Sequence, residues 1–276
     1  MSRVVVVTDS STCIPSEYAA ECGIRVLPIN AYLPEEGRPS DDGPELAGEL
    51  AAAAEREELL GANRPFVTEY LDAIETPGYD AALVVTPAIE FATMFRNANL
   101  ATELANRPTV TIDTRTAAAG QALVALAGAE AAARGEDLAS VVRVVEDASR
   151  RVELVASLAT LEPIRRSGPV PEEVLQQSDG GGARSVFRMR DGMVEPLGAV
   201  SSAEETLETI RCAFRASTLH GVERSAIFHA GAPELAAHLE DLLGGVDFVS
   251  GFSPAMQVYT GPGLVGAAWI PAEAGS

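Results

Sequence analysis

Five short runs in this chain carry residue types that could grip a small anion or a polar head group. Thr8-Asp9-Ser10-Ser11-Thr12 sets a carboxylate among hydroxyls directly after the apolar run Val4 to Val7, at the carboxyl end of a first strand, where open α/β sheets hold ligands. Asp9 there is either a ligand contact or a brace for the turn and the helix after it, and the residue types leave both open. Phosphoryl transfer through an aspartate nucleophile would want a second acid two residues on, and that position is Ser11. Asn63-Arg64-Pro65 reads as a helix start whose free amides and neighbouring arginine suit a carboxylate or phosphate, or equally as an ordinary cap. Thr86-Pro87-Ala88-Ile89 and Asp113-Thr114-Arg115-Thr116 each follow a buried strand, so Thr86 and Thr114 are expected to face the same crevice. In Tyr259-Thr260-Gly261-Pro262-Gly263, two hydroxyls precede glycines that let backbone approach a ligand, although alone this is a tight turn between strands.

Catalytic machinery is harder to find. His220, His229 and His238 are the three histidines, and none stands in a familiar motif with a serine or cysteine; His229, ending a strand, is the one to watch. Neither a phosphate loop nor a glycine fingerprint follows the first strand. The acidic pairs Glu35-Glu36 and Asp41-Asp42 read as a solvated loop, and Cys13, Cys22 and Cys212 have no metal-ligand spacing, so neither a metal nor a cofactor is expected. Arg165-Arg166, with Arg184, Arg188 and Arg190 further along, is the densest basic cluster and fits either solvated surface or an anion site.

The elements that must position these residues alternate. Strands are expected at Val4–Val7, Ile24–Ile29, Ala81–Val85 and Val110–Asp113. Helices are expected around Pro15, Tyr18, Ala19 and Cys22, around Leu46, Leu50, Ala53 and Ala54, around Phe91, Met94, Phe95 and Ala98, and over Ala117–Ala133. Such alternation implies a mainly parallel sheet covered on both faces. From about Val152 the pattern changes: Gln176–Gly182 is polar and glycine-rich, and Ser185–Met189 and Met193–Val200 flank the hairpin signal Asp191-Gly192. Ser202-Ala203-Glu204-Glu205 is a capping-box pattern before a helix with Leu207, Ile210 and Phe214 on one face. Strands at Ala226–Phe228, Val246–Val249 and Leu264–Ile270 and a helix at Pro233–Leu243 complete the chain. The expected architecture is therefore α/β in two units, a mainly parallel domain over 1-151 and an α+β domain over 152-276.

Composition bounds the class of partner. At 276 residues and 47% apolar the chain can bury a large core, while a formal charge of −20 opposes binding to nucleic acid or an anionic membrane surface. No apolar run nears the roughly 20 residues of a membrane span, so a cytoplasmic protein without a transmembrane segment is expected.

Taken in order, the motifs resemble the DegV family of bacterial fatty-acid-binding proteins. Val5-Val6-Val7-Thr8-Asp9-Ser10-Ser11-Thr12-Cys13-Ile14-Pro15 looks like the family's opening, and Val26-Leu27-Pro28-Ile29 like its second strand. Asn63-Arg64-Pro65 stands at its Ser-Gln-Pro loop, Ile112-Asp113-Thr114 at its Ile-Asp-Ser strand end, and Asp191-Gly192 to Pro196-Leu197-Gly198 at its hairpin. Thr260-Gly261-Pro262-Gly263 with Gly266 matches its closing stretch. The resemblance implies a two-domain, non-catalytic protein with a ligand crevice between the domains that encloses a long-chain fatty acid, in some members presenting its carboxylate to a separate fatty acid kinase that makes an acyl phosphate. The rival expectations are a hydrolase or phosphotransfer enzyme using Asp9, and a kinase-independent carrier or sensor of another acidic apolar ligand.

Departures from the family fall at the head-group positions. Ala62-Asn63-Arg64-Pro65 replaces Thr-Ser-Gln-Pro, Ala88 to Met94 lacks several of the hydroxyls of Ser-Ser-x-Leu-Ser-Gly-Thr, and Tyr259 stands where a histidine is the rule. The family's Gly-Gly-Arg is replaced near Ser167-Gly168-Pro169, and the arginine after its second hairpin strand falls at Ser201. The resemblance thus implies a substitute ligand site drawn from Asn63, Arg64, Thr86, Ala88, Ile89, Phe95, Thr114, Tyr259, Thr260 and Gly261.

Overall fold

The computed structural model describes residues 3–32, 61–89, 94–159 and 184–273. Its first sheet is built from β1 (Val4–Asp9), β2 (Ile24–Leu27), β5 (Ala81–Thr86) and β6 (Thr109–Asp113), in the order β2-β1-β5-β6 with every pair parallel. All residues of β1 and β5 are buried, as expected of valine-rich strands covered on both faces. A short antiparallel pair, β3 (Asn30–Tyr32) and β4 (Gly61–Asn63), stands beside it. Helices α1 (Ser16–Glu21), α2 (Val67–Ile74), α3 (Met94–Leu104), α4 (Ala118–Ala133) and α5 (Leu138–Arg151) connect and cover these strands.

The second sheet has the order β11-β10-β12-β7-β8-β9, formed by β7 (Glu153–Leu158), β8 (Arg184–Arg190), β9 (Met193–Val200), β10 (Val222–His229), β11 (Phe248–Gly251) and β12 (Val265–Pro271). Only β10 and β11 run parallel; the other pairs are antiparallel. The hairpin turns through Asp191 and Gly192, both at positive φ (50° and 76°), which matches the right-handed twist of the flanking strands. Helices α6 (Ala203–Ser217) and α7 (Pro233–Leu243) cover one face, and α8 (Pro254–Thr260) leads into the last strand.

Helix α4 explains how the two sheets meet. It packs on β1 and β5 from one side and on β7, β10 and β12 from the other, and every residue from Ala118 to Ala129 is buried. Such a helix has no polar face to show, and alanine keeps it thin enough to be sandwiched. At Gly128 an added methyl would come within 2.6 Å of the Val145 Cγ2 atom, so the approach of α5 depends on the missing side chain. One apolar cluster consequently runs from Val6 and Leu83 through Leu123 and Leu126 to Leu154 and Phe228. Among the described residues no helix is long and apolar enough to cross a membrane.

Several elements differ from expectation. No helix or strand is expected from the sequence between Ala133 and Val152 or just after it, yet α5 and β7 lie there; Asp137, which caps α5 by accepting from the Ser140 N–H, and the buried Val141, Val145 and Ala148 carry the signal. The second strand stops at Leu27 rather than Ile29, because Pro28 cannot donate to a ladder. Pro65 does not open a helix: Asn63 ends β4, and α2 begins at Val67 after Phe66. The capping box of α6 is displaced, with Ser202 Oγ accepting from Glu205 N at 3.0 Å while the Glu205 carboxylate returns to Ser201 N at 2.8 Å. The eleventh strand lies at Phe248–Gly251 instead of Val246–Val249. The helix expected around Leu46 to Ala54, the acidic pairs before it, Phe91, Arg165-Arg166, Ser167-Gly168-Pro169 and Gln176–Gly182 lie outside the described residues.

Candidate functional site

Because β1, β5 and β6 are parallel and adjacent, their carboxyl ends bring Asp9, Thr86 and Asp113 to one edge of the first sheet. The polar side chains there bond mainly to one another. Gln121, buried in α4, donates from Nε2 to Thr8 Oγ1 at 2.9 Å and to Asp9 Oδ2 and Val85 O at 3.3 Å, and its Oε1 accepts from Ser11 Oγ at 2.9 Å. Asp9 Oδ1 accepts from the Ser11 amide at 3.0 Å and from the Ser11 hydroxyl. Thr8 Oγ1 donates to Val85 O at 2.8 Å and Thr12 Oγ1 to Asp9 O at 2.9 Å. Burial raises the Asp9 pKa, and the Ser11 and Gln121 donors only partly oppose it. The Tyr70 hydroxyl lies close enough to feel this carboxylate, yet forms no hydrogen bond of good geometry; burial and the charge of Asp9 push its pKa up.

Asp9 is therefore a brace: it caps the 3-10 turn Ser10–Thr12 and holds α4 against the sheet, with no exposed surface. Thr86 and Thr114 belong to the same floor. Thr86 Oγ1 donates to Ile112 O at 3.3 Å, Thr114 Oγ1 donates to Thr86 O at 2.8 Å, and both residues are fully buried. Their hydroxyls face backbone carbonyls, not the open crevice that their place after a strand suggested. Ala88, also buried, donates its amide to Thr116 O at 2.8 Å, while Ile89 next to it turns an apolar side chain outward, 49% exposed.

The other candidates gather around α8. The β3–β4 pair packs against this helix, so β4, which ends at Asn63, meets the element that carries Tyr259 and Thr260, nearly two hundred residues away in the chain. Arg64 and Tyr259 are half-buried, and each already has a partner in the fold. Tyr259 and Thr260 form the last turn of a helix rather than the turn between strands that the glycines suggested; Ser253, whose Oγ accepts from Met256 N at 3.4 Å, and Pro254 start it. Helix α3 ties the two groups together, since Asn97 donates to Pro65 O at 2.9 Å beside Arg64 and the same helix carries the half-buried Phe95.

Beyond α8 the chain turns through Gly261 (φ 67°) and Gly263 (φ 83°). The Gly263 amide donates to Ala230 O at 2.6 Å and Ala230 N to Leu264 O at 2.9 Å, which fixes this loop to the end of β10. His229, the last residue of β10, accepts from Ala232 N on Nδ1 at 3.2 Å and from Phe252 N on its carbonyl at 2.7 Å; burial lowers its pKa, and its role is to hold these turns. Arg184 meets the glycine loop from the other side. Its Nη2 donates to Gly263 O and its Nε to Ser157 Oγ at 3.3 Å. Arg184 lies near Arg188 and Arg190 in the chain, but the fold separates them, for both of the latter face Glu153, at 3.5 Å and 3.7 Å. Among the described residues no group of three or more histidines, cysteines and acids is placed to hold a metal.

Comparison with known proteins places this arrangement. The family model described as "Uncharacterised protein, DegV family" matches residues 3–272. A DegV domain-containing protein of Mycobacterium tuberculosis is 27% identical over 280 residues, covering 95% of each chain. Among solved structures, a fatty-acid-binding DegV family protein from Thermus thermophilus is similar with a TM-score of 0.85 at 23% identity, covering 98% of this chain and 100% of its own. A stearic acid-binding protein from Eubacterium ventriosum gives a TM-score of 0.84 at 14% identity, with 98% of each chain covered.

Proposed function

Since the chain belongs to the DegV family, we propose that it is a non-catalytic carrier that encloses a long-chain fatty acid between units 1–151 and 152–276 and holds its carboxylate near the β4–α8 contact. The observation that carries this reading is the match of one family over residues 3–272 together with a shared fold whose solved examples include the fatty-acid-binding Thermus protein. Affinity would come from the chain, at about 0.8 kcal/mol per buried methylene before ordering costs, while a few polar groups fix its orientation. Asp9 supports the non-catalytic reading, because a carboxylate with no exposed surface and with both oxygens hydrogen-bonded is poorly placed to attack a substrate.

Titration of the delipidated protein with a long-chain fatty acid tests the proposal. Saturable binding near one equivalent is expected, weakened in Arg64→Ala; absence of binding would contradict the carrier role. The finer reading is that the bound acid is presented to a separate kinase for acyl phosphate formation. Trapping the product as its hydroxamate, with the kinase, ATP and the loaded protein present, is expected to give signal only when all three are combined.

A further inference from the structure

We infer that Arg184 is the cation that receives the carboxylate of the bound acid, which rests on the carrier reading above and names the group that makes the site selective for anions.

The chain holds 40 acidic and 20 basic residues, so a basic side chain that is partly withdrawn from water has acids available to it almost everywhere. The other arginines on the second sheet's strands use them: Arg188 and Arg190 face Glu153, and Arg224 pairs with Glu130 and, at 3.0 Å, with Asp247. Arg184 is half-buried and has no carboxylate partner among the described residues; its contacts are the neutral Ser157 hydroxyl and the Gly263 carbonyl. Burial lowers its pKa, and among the described residues no neighbouring charge opposes the effect. A guanidinium stays charged in such a setting, so among the described residues its lost hydration is offset by two neutral acceptors, and an anion would complete the balance.

Position supports the same assignment. Strands β12, β7 and β8 are neighbours, and their register puts Val265, Ser157 and Val186 side by side, so Arg184 and Gly263 emerge at one end of the sheet. Gly263 closes the loop that begins at the end of α8, after Tyr259 and Thr260. A methyl at Gly263 would lie 3.1 Å from the Ala159 Cβ, so loop and strand end are in close contact there. Two of the five N–H donors of a guanidinium are taken by these fixed contacts, which orients the plane and leaves donors for a carboxylate in the paired geometry that arginine favours.

The test compares affinities of the delipidated full-length protein for a long-chain fatty acid and for the primary alcohol of the same length. The wild type is expected to prefer the acid by about tenfold or more, the scale of a charge-assisted pair. Arg184→Gln should weaken acid binding alone and bring the ratio near one, and Arg184→Lys should restore part of it. Equal weakening of acid and alcohol would make Arg184 only a brace for the glycine loop, and an unchanged ratio would remove it from the site; either result overturns the inference. Loss of the ratio in Arg64→Ala but not in Arg184→Gln would overturn it as well. Failure of the wild type to bind either lipid would defeat the carrier reading itself, a distinct outcome that takes the inference with it. Should Arg184→Gln not fold, carbon-13 titration of carboxyl-labelled acid bound to the wild type decides: a carboxyl that ionises below the ordinary carboxylic acid range is expected, and one that ionises at or above that range overturns the inference.

Discussion

Asparagine in place of Asp9 should change the pH dependence of stability in a direction that the buried network dictates. Asp9 has no exposed surface, and burial raises its pKa above the ordinary aspartate value despite the Ser11 and Gln121 donors. The unfolded chain releases this proton in the ordinary range, whereas the folded protein keeps it to higher pH. Between those two points the native state binds more protons, so the contribution of Asp9 to stability is fully present below the unfolded pKa and is lost as pH rises through the folded one. The limiting slope for one proton is about 1.4 kcal/mol per pH unit. Asparagine cannot titrate, but its amide would face the Gln121 Nε2 atom; rotating Gln121 to suit it sacrifices the acceptor that Ser11 Oγ uses, a cost of about 1 kcal/mol. Asp9→Asn should therefore be slightly less stable than the wild type in acid and gain on it as pH rises, with the difference levelling off once the folded-state proton has left. Urea denaturation of both proteins at pH steps from acid to neutral, at one ionic strength, measures that difference directly. A difference independent of pH, or one that moves the other way, would refute the reasoning and mean that the donors around Asp9 outweigh its burial.

Two further predictions concern packing. At Gly266, in the middle of β12, a methyl would stand 2.6 Å from Phe228 Cζ and 2.9 Å from Val155 O, so Gly266→Ala should cost about 1–3 kcal/mol, read as a lowered denaturation midpoint; an unchanged midpoint would show that the sheet yields. Residues 1–151 expressed alone should lack cooperative unfolding and bind a hydrophobic dye, because α4 would lose the strands β7, β10 and β12 against which one side of it is buried; a sharp, dye-free transition would contradict the shared core.

What the sequence made legible was whatever depends on near neighbours. Valine runs announce β1 and β5 because β-branched side chains favour strands wherever they are buried, and Asp191-Gly192 announces its hairpin because those two residues accept the positive φ that the turn needs. Helix α8 was obscured by its own ending: the glycines after Thr260 suggested a turn, although Ser253-Pro254 carried the local signal of a helix start. Thr86 and Thr114 show a different limit, since their residue type promised hydroxyls at a crevice while the direction of those hydroxyls is set by carbonyls on adjacent strands. Arg184 is the extreme case. Its separation from Arg188 and Arg190 depends on which of them reaches Glu153 and which reaches a carbonyl 79 residues away, and no local pattern records that.

The carrier account stands or falls on what the protein holds when it is isolated. Native mass spectrometry of the full-length chain, purified without added lipid and without detergent, followed by organic extraction of the same sample, is expected to show a mass increment released on denaturation and recovered as a long-chain fatty acid. A chain of unadorned mass that also fails to take up fatty acid when incubated with it would contradict the account.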